Sequence, residues 1–298
     1  MLSRVAENIY WMGRYLERAE NTARLINVTS CLLLDQPELG RQYGWKRLVT
    51  ITGCDALFTE SGRPAEEGEM VRFLVGATDN PASLFSSISC ARATLRTMRN
   101  VLPQECWEKI NTLSLFLKKQ KETGCDAARR HFFLEDLIEH CQTLVGILIG
   151  TLSRGPAFDF FRMGQHIERA DMCTRILDVE PALWQLELAQ DALWINLLRS
   201  VSGEFVYRRY INPRINAPDV VAFLLRDRRF PRSFNYCLHE MERCIHVLNN
   251  NALCFQLLKR LEQWVDSRDV LAQGPSAFMD ELQLELNKLH DIIARTYF

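Results

Sequence analysis

Two stretches of this chain resemble each other at a separation of 151 positions, and that self-similarity constrains the fold more than any other feature. Met12-Gly13-Arg14-Tyr15-Leu16-Glu17-Arg18-Ala19-Glu20 is echoed by Met163-Gly164-Gln165-His166-Ile167-Glu168-Arg169-Ala170-Asp171. The echo runs on through Arg24-Leu25-Ile26 and Arg175-Ile176-Leu177. Phe73-Leu74 matches Phe223-Leu224, and Pro81 and Ser83 match Pro231 and Ser233, at a separation of 150; Trp45 and Trp194 are 149 apart. Such drift is what small loop insertions produce. The period is far longer than that of a short-repeat solenoid. It predicts one domain over 1–298 made of two pseudo-symmetric repeats, about 1–151 and 152–298.

The repeats read as helix. Leu2, Val5, Ile9, Met12, Leu16, Ala19, Ala23 and Ile26 recur in steps of three and four, which lays one apolar stripe down a long helix. Ser3 is a candidate N-cap for it, and Pro37 and Gly40 mark its end. Further helices are expected at about 44–60, 66–77, 84–101, 104–121 and 127–151, with Asp126 capping the last. Beyond the Arg154-Gly155-Pro156 break they are expected at about 157–178, 182–207, 218–227, 234–250, 251–266 and 276–295. No stretch alternates like a strand between hairpin turns. The expectation is an all-α, compact helical bundle.

The bulk composition narrows the function classes. Thirty-six basic against 37 acidic side chains give a net charge of -1, so overall charge does not favour non-specific binding to nucleic acid. No apolar run approaches the roughly 18–20 residues that span a bilayer. The first turns carry Arg4, Glu7 and Arg14 and do not resemble a secretory leader, so a cytoplasmic location is expected. Ten scattered cysteines form no CxxC pair and read as free thiols. Phosphate-binding glycine loops, HExxH and GxSxG are absent, as are the paired Glu-x-x-His motifs of a di-iron bundle. No cofactor or metal is expected.

The repeat concentrates charge on one flank. At about 100° per residue, Glu20 lies roughly 40° from Leu16, Arg24 roughly 80° and Glu17 roughly 100°. Glu20–Arg24 and Asp171–Arg175 are one turn apart in the favourable acid-to-base order. Gly13 and Gly164 remove a side chain from the same flank, which permits a close approach. Three uses stay open for these residues: a packed Arg–carboxylate network, a polar cleft for a charged peptide end or phosphate, or acid–base or Mg²⁺ chemistry. Two further basic groups are candidate anion or partner sites. Arg92, Arg96 and Arg99 fall at helical spacing, and Arg229 and Arg232 precede Ser233, a candidate cap.

The segments 1–28, 159–179 and 223–233, with their MGxxxERA patterns and Phe230-Pro231-Arg232-Ser233, resemble the bacterial alpha-E domain over nearly the whole chain. The resemblance implies an all-helical domain without a settled molecular function. It carries onto Glu17, Arg18, Glu20 and Arg24, and onto Glu168, Arg169, Asp171 and Arg175. Ala93 stands where the family's AREnAR-like segment has an acidic residue. Genes of that family lie beside a circularly permuted ATP-grasp protein and often a transglutaminase-like protein. The resemblance therefore implies an accessory or substrate-binding partner in a system that makes or modifies a peptide. An amide-forming or amide-cleaving enzyme, and a scaffold held by a core salt-bridge network, are the alternatives.

Overall fold

The computed structural model describes residues 2–37, 44–179, 190–270 and 275–298. Among the described residues all regular structure is helical, as the stripes predict. No helix there is long and apolar enough to cross a membrane. The chain divides into two compact units, Trp11–Phe158 and Met1–Tyr10 with Asp159–Phe298. The division falls a few residues past the expected midpoint. It also cuts the long first helix, α1 (Ser3–Asp35), after its second turn.

The unit Trp11–Phe158 holds the rest of α1, then α2 (Lys46–Ile51), α3 (Asp55–Glu60), α4 (Glu67–Val75), α5 (Leu84–Arg96), α6 (Gln104–Cys125) and α7 (Arg130–Thr151). Within it α6 packs on α4, α5 and α7, α4 on α2 and α5, and α2 on α3. Leu16, Leu74, Leu113 and Leu137 are among its fully buried side chains. Each removes apolar surface from water for about 1.5–3 kcal/mol.

The other unit holds α8 (Pro156–Val179) from Asp159 on, then α9 (Gln190–Ser200), α10 (Glu204–Tyr210), α11 (Ala217–Arg226), α12 (Phe234–His246), α13 (Ala252–Ser267) and α14 (Pro275–Tyr297). Here α13 packs on α11, α12 and α14, α11 on α9 and α12, and α9 on α10. These are the same six pairings in the same order. Phe278, Leu282, Leu286, Leu289 and Ile293 of α14 are all buried, as a core helix requires.

Several boundaries differ from expectation for local reasons. The single helix expected at 44–60 is two helices, because Gly53 takes a φ of +71° and closes α2. The expected helix at 182–207 is described only from Gln190. It too breaks, at Ser202 with φ +55°, where the Gly203 amide donates to the Leu198 carbonyl at 2.7 Å. Asp126 does not cap α7; its carboxylate accepts from the Ala128 amide at 3.1 Å and from Arg129 Nε at 2.7 Å in the preceding turn. Helix α6 runs through Thr123-Gly124 to Cys125, and Ser3 lies inside α1, with Leu2 accepting its first backbone hydrogen bonds.

Candidate functional site

Ser83 and Ser233 both cap the helices that follow them. Ser83 Oγ accepts from the Ser86 amide at 3.0 Å, and Ser233 Oγ from the Tyr236 amide at 3.2 Å. Such a cap is worth about 1 kcal/mol. Each hydroxyl also donates back across the preceding turn, to the carbonyls of Ala77 and Asp227 respectively. Asp227 Oδ1 accepts from the amides of Arg229 and Phe230, both at 2.7 Å. The Ser233 hydroxyl is thus fully buried and committed to the turn.

The repeated charged flank is largely buried. In the unit Trp11–Phe158, Glu17 and Glu20 are 1% and 4% exposed. Arg24 donates to Glu20 Oε1 from Nε at 3.0 Å and from Nη2 at 2.9 Å, and Gln142 Nε2 reaches the same oxygen at 3.4 Å. The Cys141 thiol is pushed far up, first by burial and then by the charges of Glu20 and Glu17. The two acids therefore bear on one buried point of α7. In a low-dielectric interior such carboxylates need matched cations and donors.

In the other unit Glu168 is 4% exposed, and Arg175 Nε donates to Asp171 Oδ2 at 2.8 Å. Aspartate is one methylene shorter than glutamate. Only one oxygen of Asp171 is engaged; Oδ1 is buried without a hydrogen-bond partner among the described residues. Arg169 Nη1 donates to the Pro231 carbonyl at 3.0 Å, which joins the α8 repeat to the capped turn before α12.

Two residues that sequence reasoning passed over stand out. His166 is fully buried, and neither ring nitrogen has a hydrogen-bond partner among the described residues. Burial, then the guanidinium groups of Arg162 and Arg169, hold its pKa well below the ordinary value, so the imidazole is neutral. Glu240 lies 4.0 Å away; burial works to raise its pKa, but hydrogen bonds from Arg162 and Arg243 pull it down. In the unit Trp11–Phe158, Arg130 is 3% exposed and donates to Glu67 at 3.0 Å, Ser30 at 3.3 Å and the carbonyls of Gly124 and Cys125. Its position at the start of α7 gave no sequence signal.

Gly164 explains itself in space. A Cβ there would stand 1.9 Å from the Tyr10 carbonyl oxygen, so α8 approaches the start of α1 backbone to side face. Tyr10 is itself fully buried and hydrogen-bonded to His290 Nδ1 at 2.9 Å.

One of the two basic groups lies in each unit. Arg92 Nε donates to Asn111 at 2.6 Å, and Arg92 and Arg99 stack on Trp107, with Arg99 3.7 Å from the ring centre. Helix α5 ends at Arg96, which is exposed, so Arg99 lies in the turn beyond it. Arg229 is exposed and Arg232 half-buried. The neighbouring Arg226 and Arg228 are tied to α13 through Val265, Glu262 and Asp266. Among the described residues no group of three or more His, Cys, Asp or Glu is placed to hold a metal ion.

A family model described as "Alpha-E: a predicted alpha-helical domain with a conserved ER motif" matches residues 1–298. Uncharacterised proteins of Mycobacterium bovis and Mycobacterium tuberculosis are each 23% identical to the chain over 258 residues. The match covers 80% of this chain and 29% of each relative, so the chain spans less than a third of their length. No solved structure matches. With its Glu17-Arg18 and Glu168-Arg169 pairs each set on a long helix, the chain belongs to the Alpha-E family.

Proposed function

We propose that this protein is the helical accessory or substrate-binding component of a peptide-synthesis or peptide-modification system. Its partner in that system is a circularly permuted ATP-grasp protein, and a transglutaminase-like protein acts in the same system. ATP chemistry belongs to the partner, because this chain carries no phosphate-binding loop. We take the two runs of helices to be repeats of one ancestral unit; six matching helix pairings and the paired Ser83 and Ser233 caps support this.

The observation that carries the accessory role is the closed state of the repeated charges. Glu20 accepts from Arg24 twice and from Gln142, and Asp171 is held by Arg175. Carboxylates neutralised in this way shape and position a surface better than they shuttle protons. In the mycobacterial relatives the matching region is part of a much longer chain, which fits a domain that works beside another. Co-purification with the ATP-grasp protein, followed by binding measurements with the pathway's peptide, tests the reading. Failure to bind either component under conditions where the pathway is active would overturn it.

The burial of Glu17, Glu20 and Glu168 favours a second reading, a scaffold role for the same residues. Under it, Glu20→Gln lowers thermal stability and leaves partner and peptide affinity unchanged.

A further inference from the structure

The net charge of -1 hides two stretches of opposite sign. Residues 199–232, from the end of α9 through α11 to the turn before α12, hold eight arginines and three acids, a net charge of +5. Some of these charges are answered locally. Arg199 and Arg208 share Glu204 at 2.7 and 3.0 Å, Arg228 reaches Glu262 and Asp266 of α13, and Arg226 is spent on backbone carbonyls. Counting Glu262 and Asp266 against the stretch still leaves it positive. Arg209, Arg214 and Arg229 are exposed, and no carboxylate pairs with them among the described residues. Beside them the surface is aromatic. Phe205 is 73% and Tyr210 71% exposed, and neither touches another ring among the described residues. Phe205 and Arg209 are one turn apart on α10 and share a face.

Residues 49–82 stand 150 positions earlier and run from α2 through α4 to the turn before α5. They hold two arginines and six acids, a net charge of -4. Both arginines are taken, Arg63 by Asp79 and Arg72 by Glu69, and Glu67 pairs with Arg130. Counting Lys46 and Arg47 at the head of α2 still leaves the stretch acidic. Glu60 and Glu66 are exposed and make no ion pair among the described residues. Asp55 and Glu60, on α3, occupy the positions 150 before Phe205 and Tyr210, and the large exposed apolar residue of α3 is Leu57, at 40%. The helix order is the same in both stretches, so the fold does not demand bare rings and arginines on α10. Aromatic side chains and arginine are the groups that concentrate at the centre of protein–protein contacts. A surface that covers them must be acidic, and this chain carries one.

We propose that the α10 face, with Phe205, Arg209, Tyr210 and Arg214, docks a second copy of this chain on the acidic face of α3 and the turn after it, at Leu57, Glu60 and Glu66. The rings cover Leu57, and the unpaired guanidinium groups meet the unpaired carboxylates. The contact joins unlike faces. A two-fold axis that brings both pairs of faces together gives a dimer, and without such closure the same contact adds copies head to tail. Nothing in the accessory reading requires this contact, and the two fail separately.

The test is sedimentation of the full chain over a range of concentrations and salt. A mass above the monomer's is expected at about 50 mM salt, falling toward the monomer at about 500 mM as exposed ion pairs are screened. Arg209→Glu with Arg214→Glu, and separately Glu60→Arg with Glu66→Arg, are each expected to weaken association about tenfold or more. Phe205→Ser leaves every charge in place and is expected to weaken it about tenfold as well. All five positions are exposed, so thermal unfolding of these variants should match the parent's and show that they are folded. Mixing the two charge-reversed proteins is expected to restore association, because each keeps one native face and the two reversed faces complement each other. A parent that sediments as a monomer at every concentration in low salt, reversed variants that associate like the parent, or a mixture that stays monomeric would rule the contact out. A monomeric parent that binds vesicles containing phosphatidylglycerol would rule it out in favour of a membrane surface for the basic face.

Discussion

Arg169 Nη1 donates to the carbonyl of Pro231 at 3.0 Å across 62 positions of sequence. The contact fastens the second member of a Glu-Arg pair on α8 to the turn that Ser233 caps. A guanidinium bond to a carbonyl is worth about 1.5–3 kcal/mol when buried and less here, where the contact is exposed. Arg169→Ala is expected to cost about 1 kcal/mol in global stability. The sharper effect is local: amide exchange of residues 229–236 should quicken while that of α14 stays unchanged. Exchange at the turn equal to the parent's would remove any structural role for this contact.

Gly164 supplies a second prediction and Gly146 its control. A methyl group at Gly164 meets the Tyr10 backbone at a distance no side-chain motion relieves. Gly164→Ala is expected to destabilise by about 1–3 kcal/mol or more, since the helices themselves must part. Gly146, within α7, has nothing within 4 Å of such a methyl. Gly146→Ala is expected to stabilise by about 0.5–1 kcal/mol through helix propensity. Urea denaturation of both variants distinguishes packing from propensity; two changes of the same sign would refute the argument.

That glycine also shows how far the sequence was legible. Its repeat of Gly13 pointed to a close approach, because glycine inside a helix otherwise costs stability. The apolar stripes gave the all-helical class for the same reason: period alone decides it. What could not be read was which backbone came close. Tyr10 lies more than 150 positions from Gly164, and no periodicity encodes that pairing. The breaks at Gly53 and Ser202 escaped because one left-handed residue outweighs a continuing apolar pattern. The Glu20–Arg24 and Asp171–Arg175 pairs were legible from i,i+4 spacing. The burial of Glu17 and Glu168 was not, since it depends on what other helices bring.

Arg130 gives the third prediction. Its guanidinium serves Ser30 of α1, Glu67 of α4 and two carbonyls at the end of α6, and it stands 4.8 Å from the ring centre of Trp45. Removing one member of such a buried set leaves several polar groups without partners. Arg130→Met is expected to cost about 3–5 kcal/mol, while Glu67→Gln, at a half-exposed partner, should cost less than about 1 kcal/mol. Arg130→Lys keeps the charge but loses the fork, and should fall between them. Equilibrium unfolding of the three variants checks the order; equal losses for Arg130→Met and Glu67→Gln would show that the carbonyl contacts contribute little.

His166 gives the last. Its folded-state pKa is held well below the ordinary value, chiefly by burial and then by Arg162 and Arg169. The unfolded chain therefore binds a proton on this group near pH 6.5, and the folded chain does not. Stability from this group is full above about pH 6.5 and is lost as pH falls below it, by up to about 1.4 kcal/mol per pH unit. Glu240 faces the same ring, but its own pKa is lowered, so its loss begins only in more acidic solution. His140 is depressed too, again first by burial, and adds a second term of the same sign. Stability measured by urea unfolding at pH 8, 7, 6 and 5 is expected to fall steeply in the parent. The fall should be shallower in His166→Phe and shallower again when His140→Phe is added. Parallel curves for the parent and His166→Phe would show that the imidazole is protonated inside the fold, with Glu240 as its counter-charge.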